Sequence, residues 1–476
     1  MKNQTTRRDF LQAGLALPLR ALRSRANVVL FLTDDHGAWA LGGRAGGSGV
    51  IRTPHIDRLA SSGVCFRNAF AATPVCSPSR MTLLTGKLPS AHGVQDWLVP
   101  EDCTGPGSRL WLEGHRTFTE VLASRGYELA FCGKWHMGGD DHPQAGFRYW
   151  VSTIGSRYRD PEMSVNGQRA RQTGFVTDLT TDAALEFLNR KHRNPFFLLI
   201  SLNAPHTPYD YQPEADRAVY ARETFETFPW LQATPSPRQN PQLRQHFGRL
   251  ESLRAYASLI HGIDRNVGRV LDTLERLRLR TETTVIFTSD QGWNAGQDGV
   301  WGKGNGTVPF NLLDGSTRVP LIWSHPGRIA ADTVREEFVS HYDFFPTVLD
   351  WLRVAPPAPH RERVGRSYAR ALAGKPLKSW PDRVYFEYAY TRGVRTRLWK
   401  YVERVEAWPS ELFNEMLANG ETIDCSHQPQ YRRWREELAS DLKAFFERSG
   451  APPLSDWRRT TQQRLPEYPL PEVSGA

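Results

Sequence analysis

Four continuous apolar runs recur along the chain, and each leads into groups that carry charge or bind ions. NVVLFLT (27–33) is followed by Asp34 and Asp35, and YELAFCG (127–133) by Lys134 and His136. FFLLISLNAP (196–205) leads to His206. TTVIFTS (283–289) leads to Asp290 and Gln291, with Lys303 a short loop further on. Unbroken β-branched and aromatic runs without polar alternation predict strands buried on both faces of a parallel sheet. Helix-like segments separate them. TPHIDRLASSG has Thr53 as N-cap, Pro54 in the first turn and Gly63 as stop. RTFTEVLASRG, DLTTDAALEFLNRK and the long SLRAYASLIHGIDRNVGRVLDTLERLRLR read the same way. This alternation predicts an α/β fold with a large, mostly parallel sheet between helices.

Ligands of open α/β sheets bind outside the carboxyl ends of the strands. Aspartate and histidine are common in turns, so one such residue is ordinarily structural. Four strands ending this way point to a site. Asp34, Asp35, Asp290 and Gln291 offer only oxygen, which suits a hard cation such as Ca²⁺ or Mg²⁺ rather than zinc. Arg80, Lys134, His136, His206 and Lys303 supply positive charge and donors. A divalent cation among basic side chains describes a site for phosphate or sulfate. Cys76 opens a predicted helix in TPVCSPSRMTLLTG, where free backbone N–H groups favour an anion. Packing is the commoner role of a single cysteine.

These segments resemble the type I sulfatases of the alkaline phosphatase superfamily. CSPSRMTLLTG is similar to the family signature, C-x-P-S-R followed by a short helix ending T-G. FLTDDHG, GKWHMG, NAPHTPY, TSDQGWNAG and WGKG resemble further family segments in the family's order, over roughly Asn27 to Lys443. The resemblance implies that Cys76 is oxidised by a formylglycine-generating maturation enzyme, and that the hydrated formylglycine attacks sulfur. It implies one Ca²⁺ held by Asp34, Asp35, Asp290, Gln291 and the modified residue 76. Arg80 and Lys134 would hold the formylglycine and the sulfate. Lys303 and His206 would bind near the bridging oxygen, one of them protonating the departing alcohol. His136 would take the proton that lets the sulfated intermediate collapse. Gln291 departs from the asparagine or histidine frequent in the family, and FNEMLANGETIDCS departs from its usual acidic C-terminal loop.

The resemblance implies a sulfate monoester substrate, first of all a sulfated carbohydrate. The alternatives are a small choline- or aryl-type sulfate ester, or a phosphate or phosphonate monoester. A non-catalytic binder of sulfated polymers would lack the cysteine or a metal carboxylate, and this chain keeps them. A formal net charge of +9 suits anionic partners. No Lys/Arg block or aromatic-basic repeat suits nucleic acid. Trp97, Trp111 and Trp301 are candidates for stacking on sugar rings, although packing is the commoner role of tryptophan.

Five cysteines without a Cys-x-x-Cys pair argue against a zinc ribbon or a dense disulfide framework. No apolar run is long enough to span a membrane. Arg7-Arg8 before Asp9-Phe10-Leu11 resembles a twin-arginine export signal within residues 1–26, implying a periplasmic or extracellular protein. The apolar segment after it is short and interrupted by Arg20, and a degenerate signal would leave the protein in the cytoplasm. The catalytic domain is expected over 27–380. A smaller α+β subdomain on an antiparallel sheet is expected over 381–450, from DRVYFEYAY, GVRTRLWKYVERV, SELFNEM and a closing helix. A proline-rich tail fills 451–476. The segment TFETFPWLQATPSPRQNPQLRQHF (224–247) reads as a long loop of the kind that often serves function.

Overall fold

The computed structural model describes residues 25–209, 211–405, 408–417 and 420–457. The twin-arginine motif and most of the proline-rich tail lie outside them. A ten-stranded sheet forms the centre. In chain order its strands are β1 Asn27–Thr33, β2 Gly63–Phe70, β3 Glu128–Gly133, β4 Tyr149–Ile154, β5 Glu162–Val165, β6 Gln168–Arg171, β7 Phe196–Ser201, β8 Thr283–Ser289, β9 Leu321–Ser324 and β10 Thr333–Ser340. Their order across the sheet is β10-β2-β9-β8-β1-β7-β3-β4-β5-β6. β8, β1, β7, β3 and β4 are consecutive and parallel, and antiparallel pairings flank them on both sides.

Two faces of the sheet are buried, as the unbroken apolar runs require. Val29 and Phe31 of β1 join one core cluster, and Val28, Leu30 and Leu32 join the other. β7 divides in the same way, with Phe196, Leu198 and Ile200 on one face and Phe197 and Leu199 on the other. The 27-residue helix Leu250–Arg276 and the helix Val176–Leu188 pack on the first face. Cys76–Thr85, Phe118–Ser124 and Phe344–Trp351 pack on the second. Thr117 starts Phe118–Ser124 with a capping box, its hydroxyl accepting from the Glu120 N–H while the Glu120 carboxylate accepts from the Thr117 N–H.

The structure corrects several local readings. Thr53 precedes the helix Pro54–Ser61, but its hydroxyl accepts from the Gly42 N–H at 2.7 Å instead of capping the helix. Gly63 does not stop that helix; Ser62 does, and Gly63 begins β2. GVRTRLWKYVERV contributes to two strands. With Arg383–Tyr388 and Glu411–Asn414 they complete a four-stranded antiparallel sheet, Thr391–Thr396 and Trp399–Arg404 lying in the middle. The closing helix Arg432–Ser449 buries Leu438, Leu442 and Phe446 against that sheet. Segment 224–247 is irregular apart from two short 3-10 turns. Its Gln239 clamps the Trp301 backbone, accepting from N–H at 2.7 Å and donating to the carbonyl at 3.1 Å.

Candidate active site

Because β8, β1, β7 and β3 are parallel neighbours, their carboxyl ends share one edge of the sheet. Asp34 and Asp35 follow β1, Asp290 and Gln291 follow β8, and Lys134 follows β3. The helix Cys76–Thr85 begins at the same edge, with Cys76 its first residue. Close backbone approaches at two glycines place the lysines. A Cβ on Gly133, whose φ is +113°, would lie 1.8 Å from the Ser201 carbonyl oxygen, so only glycine lets Lys134 N–H reach that carbonyl at 2.8 Å. A Cβ on Gly304 would lie 2.5 Å from the Pro74 side chain, and Gly304 N–H donates to Pro74 O at 3.1 Å. That seam brings Lys303 beside Cys76.

The resulting cluster is dense and buried. Cys76 Sγ lies 2.9 Å from Lys303 Nζ, 3.3 Å from Asp34 Oδ1 and 3.4 Å from Gln291 Nε2. Lys303 Nζ also donates to Asp35 Oδ1 at 2.7 Å, and Lys134 Nζ pairs with Asp34 Oδ2. Arg80 grips Asp290 Oδ2 through Nε at 2.8 Å and a terminal nitrogen at 2.7 Å. Its other terminal nitrogen donates to Lys134 O and Ser201 Oγ, both at 2.8 Å. His206 Nε2 stands 3.7 Å from Asp35 Oδ2. Nine of the ten sequence candidates therefore touch one another in a single network. His136 does not join it by contact, but lines the adjoining cavity with Asp34, Lys134 and His206.

Two of these residues have left-handed backbones, Asp35 at φ 64° and His136 at φ 61°. Such conformations persist where surrounding bonds hold them. Asp35 O accepts from Tyr256 OH at 2.7 Å, and Tyr256 OH in turn accepts from Gly37 N–H at 3.1 Å. His136 N–H donates to Asp140 Oδ2 at 3.0 Å, and its Nε2 donates to Leu98 O at 2.9 Å. A carbonyl can only accept, so Nε2 carries the proton and the buried, unpartnered Nδ1 presents a lone pair. Sequence reasoning missed Tyr256, Asp140, Ser201 and the Leu98 carbonyl.

Burial alone would raise the Asp34 carboxyl, but Lys134, His206, Arg80 and Lys303 hold it well below the usual range. Burial and the neighbouring Asp34 push Asp290 up to about 7. Burial, with Asp34 beside it, lifts the Cys76 thiol to about 12, despite Lys134 and Lys303. Burial opposes the charge of Lys303 and Lys134, yet their carboxylate partners raise both. Burial lowers His206 and takes His136 well below its ordinary value.

The oxygen donors fit a hard cation. Carboxylate oxygens of Asp34, Asp35 and Asp290 lie within 4.8 Å of one another, all buried. Asp35 Oδ2 and Gln291 Oε1 have no hydrogen-bond partner there. The Gln291 amide turns Nε2 toward Asp34 Oδ1 at 3.2 Å and Asp35 Oδ1 at 2.5 Å. Rotating the amide exchanges that donor for its carbonyl oxygen and completes an all-oxygen set.

The cavity beside this cluster encloses about 280 Å³, and Trp97 lines it. Trp111 and Trp301 do not offer a face for sugar stacking. Trp111 is 6% exposed under Arg109, and Trp301 is 1% exposed, packed against Tyr209 and His246.

Residues 26–354 match the family model described as Sulfatase, and residues 310–447 that described as N-sulphoglucosamine sulphohydrolase, C-terminal. The chain is 26% identical to an N-acetylglucosamine-6-O-sulfatase of Bacteroides thetaiotaomicron, over 90% of this chain and 88% of the relative. It is 30% identical to the steryl-sulfatase of Homo sapiens, over 79% and 76%. Its fold superposes on a solved structure in complex with its substrate D-glucosamine-2-N,6-O-disulfate. That match has a TM-score of 0.78 and 23% identity, and it covers 91% of this chain and 100% of the other. By these matches the chain belongs to the type I sulfatase family of the alkaline phosphatase superfamily, enzymes that hydrolyse sulfuric esters.

Proposed function

We propose that the enzyme hydrolyses sulfate monoesters of a carbohydrate, using a nucleophile made from Cys76 and a bound Ca²⁺. The observation that carries this reading is the position of Cys76 Sγ, between Lys303 Nζ and the Asp34–Asp35–Asp290 carboxylates. The names of the glucosamine-type relatives support a sugar substrate, as does the Trp97-lined cavity beside the cluster.

Asp34, Asp35, Asp290 and Gln291 would hold the Ca²⁺, which when bound polarises sulfate oxygens as a Lewis acid. Oxidation of Cys76 to formylglycine by a maturation enzyme supplies, on hydration, the attacking hydroxyl. Arg80 fixes Asp290 and orients this edge of the helix. Lys134 and Lys303 bind the sulfate oxygens as buried cations. Lys303 Nζ delivers the proton to the departing alcohol, or His206 Nε2 does so from the imidazolium, because the Nδ1 proton of His206 is committed to Thr207 O at 2.5 Å. His136 Nδ1, its lone pair fixed by the Leu98 carbonyl, accepts the proton from the second hydroxyl at residue 76. That splits one displacement into two steps. We assign this chemistry to residues 27–380, with 381–450 as a subdomain, and propose export through the twin-arginine segment. No helix among the described residues is long and apolar enough to cross a membrane.

Sulfate and phosphate esters have similar shapes but different charge, so paired substrates separate the readings. Matured enzyme is expected to release nitrophenol from 4-nitrophenyl sulfate with a kcat/KM at least about 100-fold above that for 4-nitrophenyl phosphate. It should also release sulfate from N-acetylglucosamine 6-sulfate or N-acetylgalactosamine 6-sulfate. Preference for the phosphate ester would replace the sulfatase reading. Release from steryl or aryl sulfates but from neither sugar would replace the carbohydrate.

A further inference from the structure

A second, larger hollow opens from the active-site cavity. It encloses about 980 Å³, and Ser156, His206 and Thr207 line both spaces. Ordinary ligand pockets span about 300–1,000 Å³. The inner cavity thus has the size for one compact group, and the outer one for several. The outer walls are the helix Glu214–Tyr220, the first turns of Leu250–Arg276 and residues 242–246 of the long irregular segment.

Its floor is held firmly. Asp216, 1% exposed, accepts from His261 Nδ1 at 2.9 Å and from Arg265 at 3.0 Å, which pins Glu214–Tyr220 to the long helix. On Glu214–Tyr220, Arg217 is exposed, and its side chain makes no ion pair or hydrogen bond among the described residues. Tyr211 is 61% exposed, with its backbone at φ 70°. Glu214, Glu251, Gln242 and Gln245 line the same hollow. Arg217 offers a planar fork for a carboxylate or sulfate. The tyrosine ring offers an amphipathic face. The neutral amides and the two acidic groups suit the hydroxyls that lie between the anionic groups of such a chain.

We infer that this outer groove binds the sugar units next to the one that loses sulfate, with Arg217 pairing with an anionic group on them and Tyr211 covering a ring. The inference rests on the carbohydrate reading above and makes an oligosaccharide the preferred substrate over a free sulfated monosaccharide.

The test is equilibrium binding to full-length Cys76→Ala protein in the presence of Ca²⁺. The probes are 6-O-sulfated chondroitin and heparan hexasaccharides, with N-acetylgalactosamine 6-sulfate and N-acetylglucosamine 6-sulfate as their monosaccharides. At least one hexasaccharide is expected to bind at least about tenfold more tightly than its monosaccharide. Arg217→Ala in the same background should remove most of that gain, and Tyr211→Ala part of it. The inference is overturned if neither hexasaccharide outbinds its monosaccharide, or if the gain survives both substitutions. Should the gain depend on Arg217 while matured wild-type enzyme releases no sulfate from any of the four, the groove stands and the proposed hydrolysis of these sugars falls.

Discussion

Cys76→Ala is expected to abolish turnover while leaving the protein folded. In the proposed mechanism every other group binds, orients or moves a proton, and only residue 76 forms the bond to sulfur. Losing the nucleophile of a covalent mechanism costs a factor on the order of 10⁴ or more in kcat. The structural cost is small. The side chain is 2% exposed and loses only its sulfur, leaving a methyl group, and Lys303 keeps Asp35 as its partner. The loss of stability should stay within about 1–2 kcal/mol. Sulfate release and thermal unfolding, measured on the same preparation, check both halves.

Asp290→Ala is expected to lose metal and activity together, and stability as well. Asp290 Oδ2 takes both near nitrogens of Arg80, and Oδ1 accepts from the Asp35 N–H at 3.3 Å and the Gln291 N–H at 2.9 Å. Alanine removes a proposed cation ligand and leaves Arg80, 1% exposed, with Asp34 at 3.7 Å as its remaining carboxylate. Breaking a buried pair by removing one partner costs about 3–5 kcal/mol. Asp290→Asn keeps an acceptor for those backbone groups and should lose less stability while still losing affinity for Ca²⁺. Metal analysis after dialysis, denaturant melts and sulfate release distinguish the variants. A metal content equal to wild type in Asp290→Ala would remove Asp290 from the ligand set.

The centre of the fold was legible because β1, β3, β7 and β8 are buried on both faces, which leaves apolar runs with no polar interruption. β2 was not legible. GVCFRNAF follows its helix without a break, and its exposed Arg67 and half-buried Asn68 obscure the pattern. Gln168–Arg171 is exposed at every position, so only its backbone pairing with β5 makes it a strand. The charged groups at strand ends were legible for the same reason as the strands. What holds them was not. Leu98 acts through a carbonyl, which every residue has. Ser201 ends an apolar strand, and Asp140 sits in a GGDD stretch where aspartate reads as a turn residue. Tyr256 reaches Asp35 from 221 residues away, out of a helix whose apolar face accounts for a tyrosine by packing alone.

The most direct test of the central claim follows residue 76 itself. Protein made with and without a formylglycine-generating enzyme is digested, and the peptide containing residue 76 is weighed. Conversion replaces the elements of H₂S with one oxygen, so the matured and unmatured peptides separate by mass. Across preparations with different degrees of conversion, the rate of sulfate release is predicted to rise in proportion to the converted fraction and to extrapolate to zero at none. Undiminished sulfate release from folded, Ca²⁺-loaded protein whose residue 76 is entirely thiol would contradict the account.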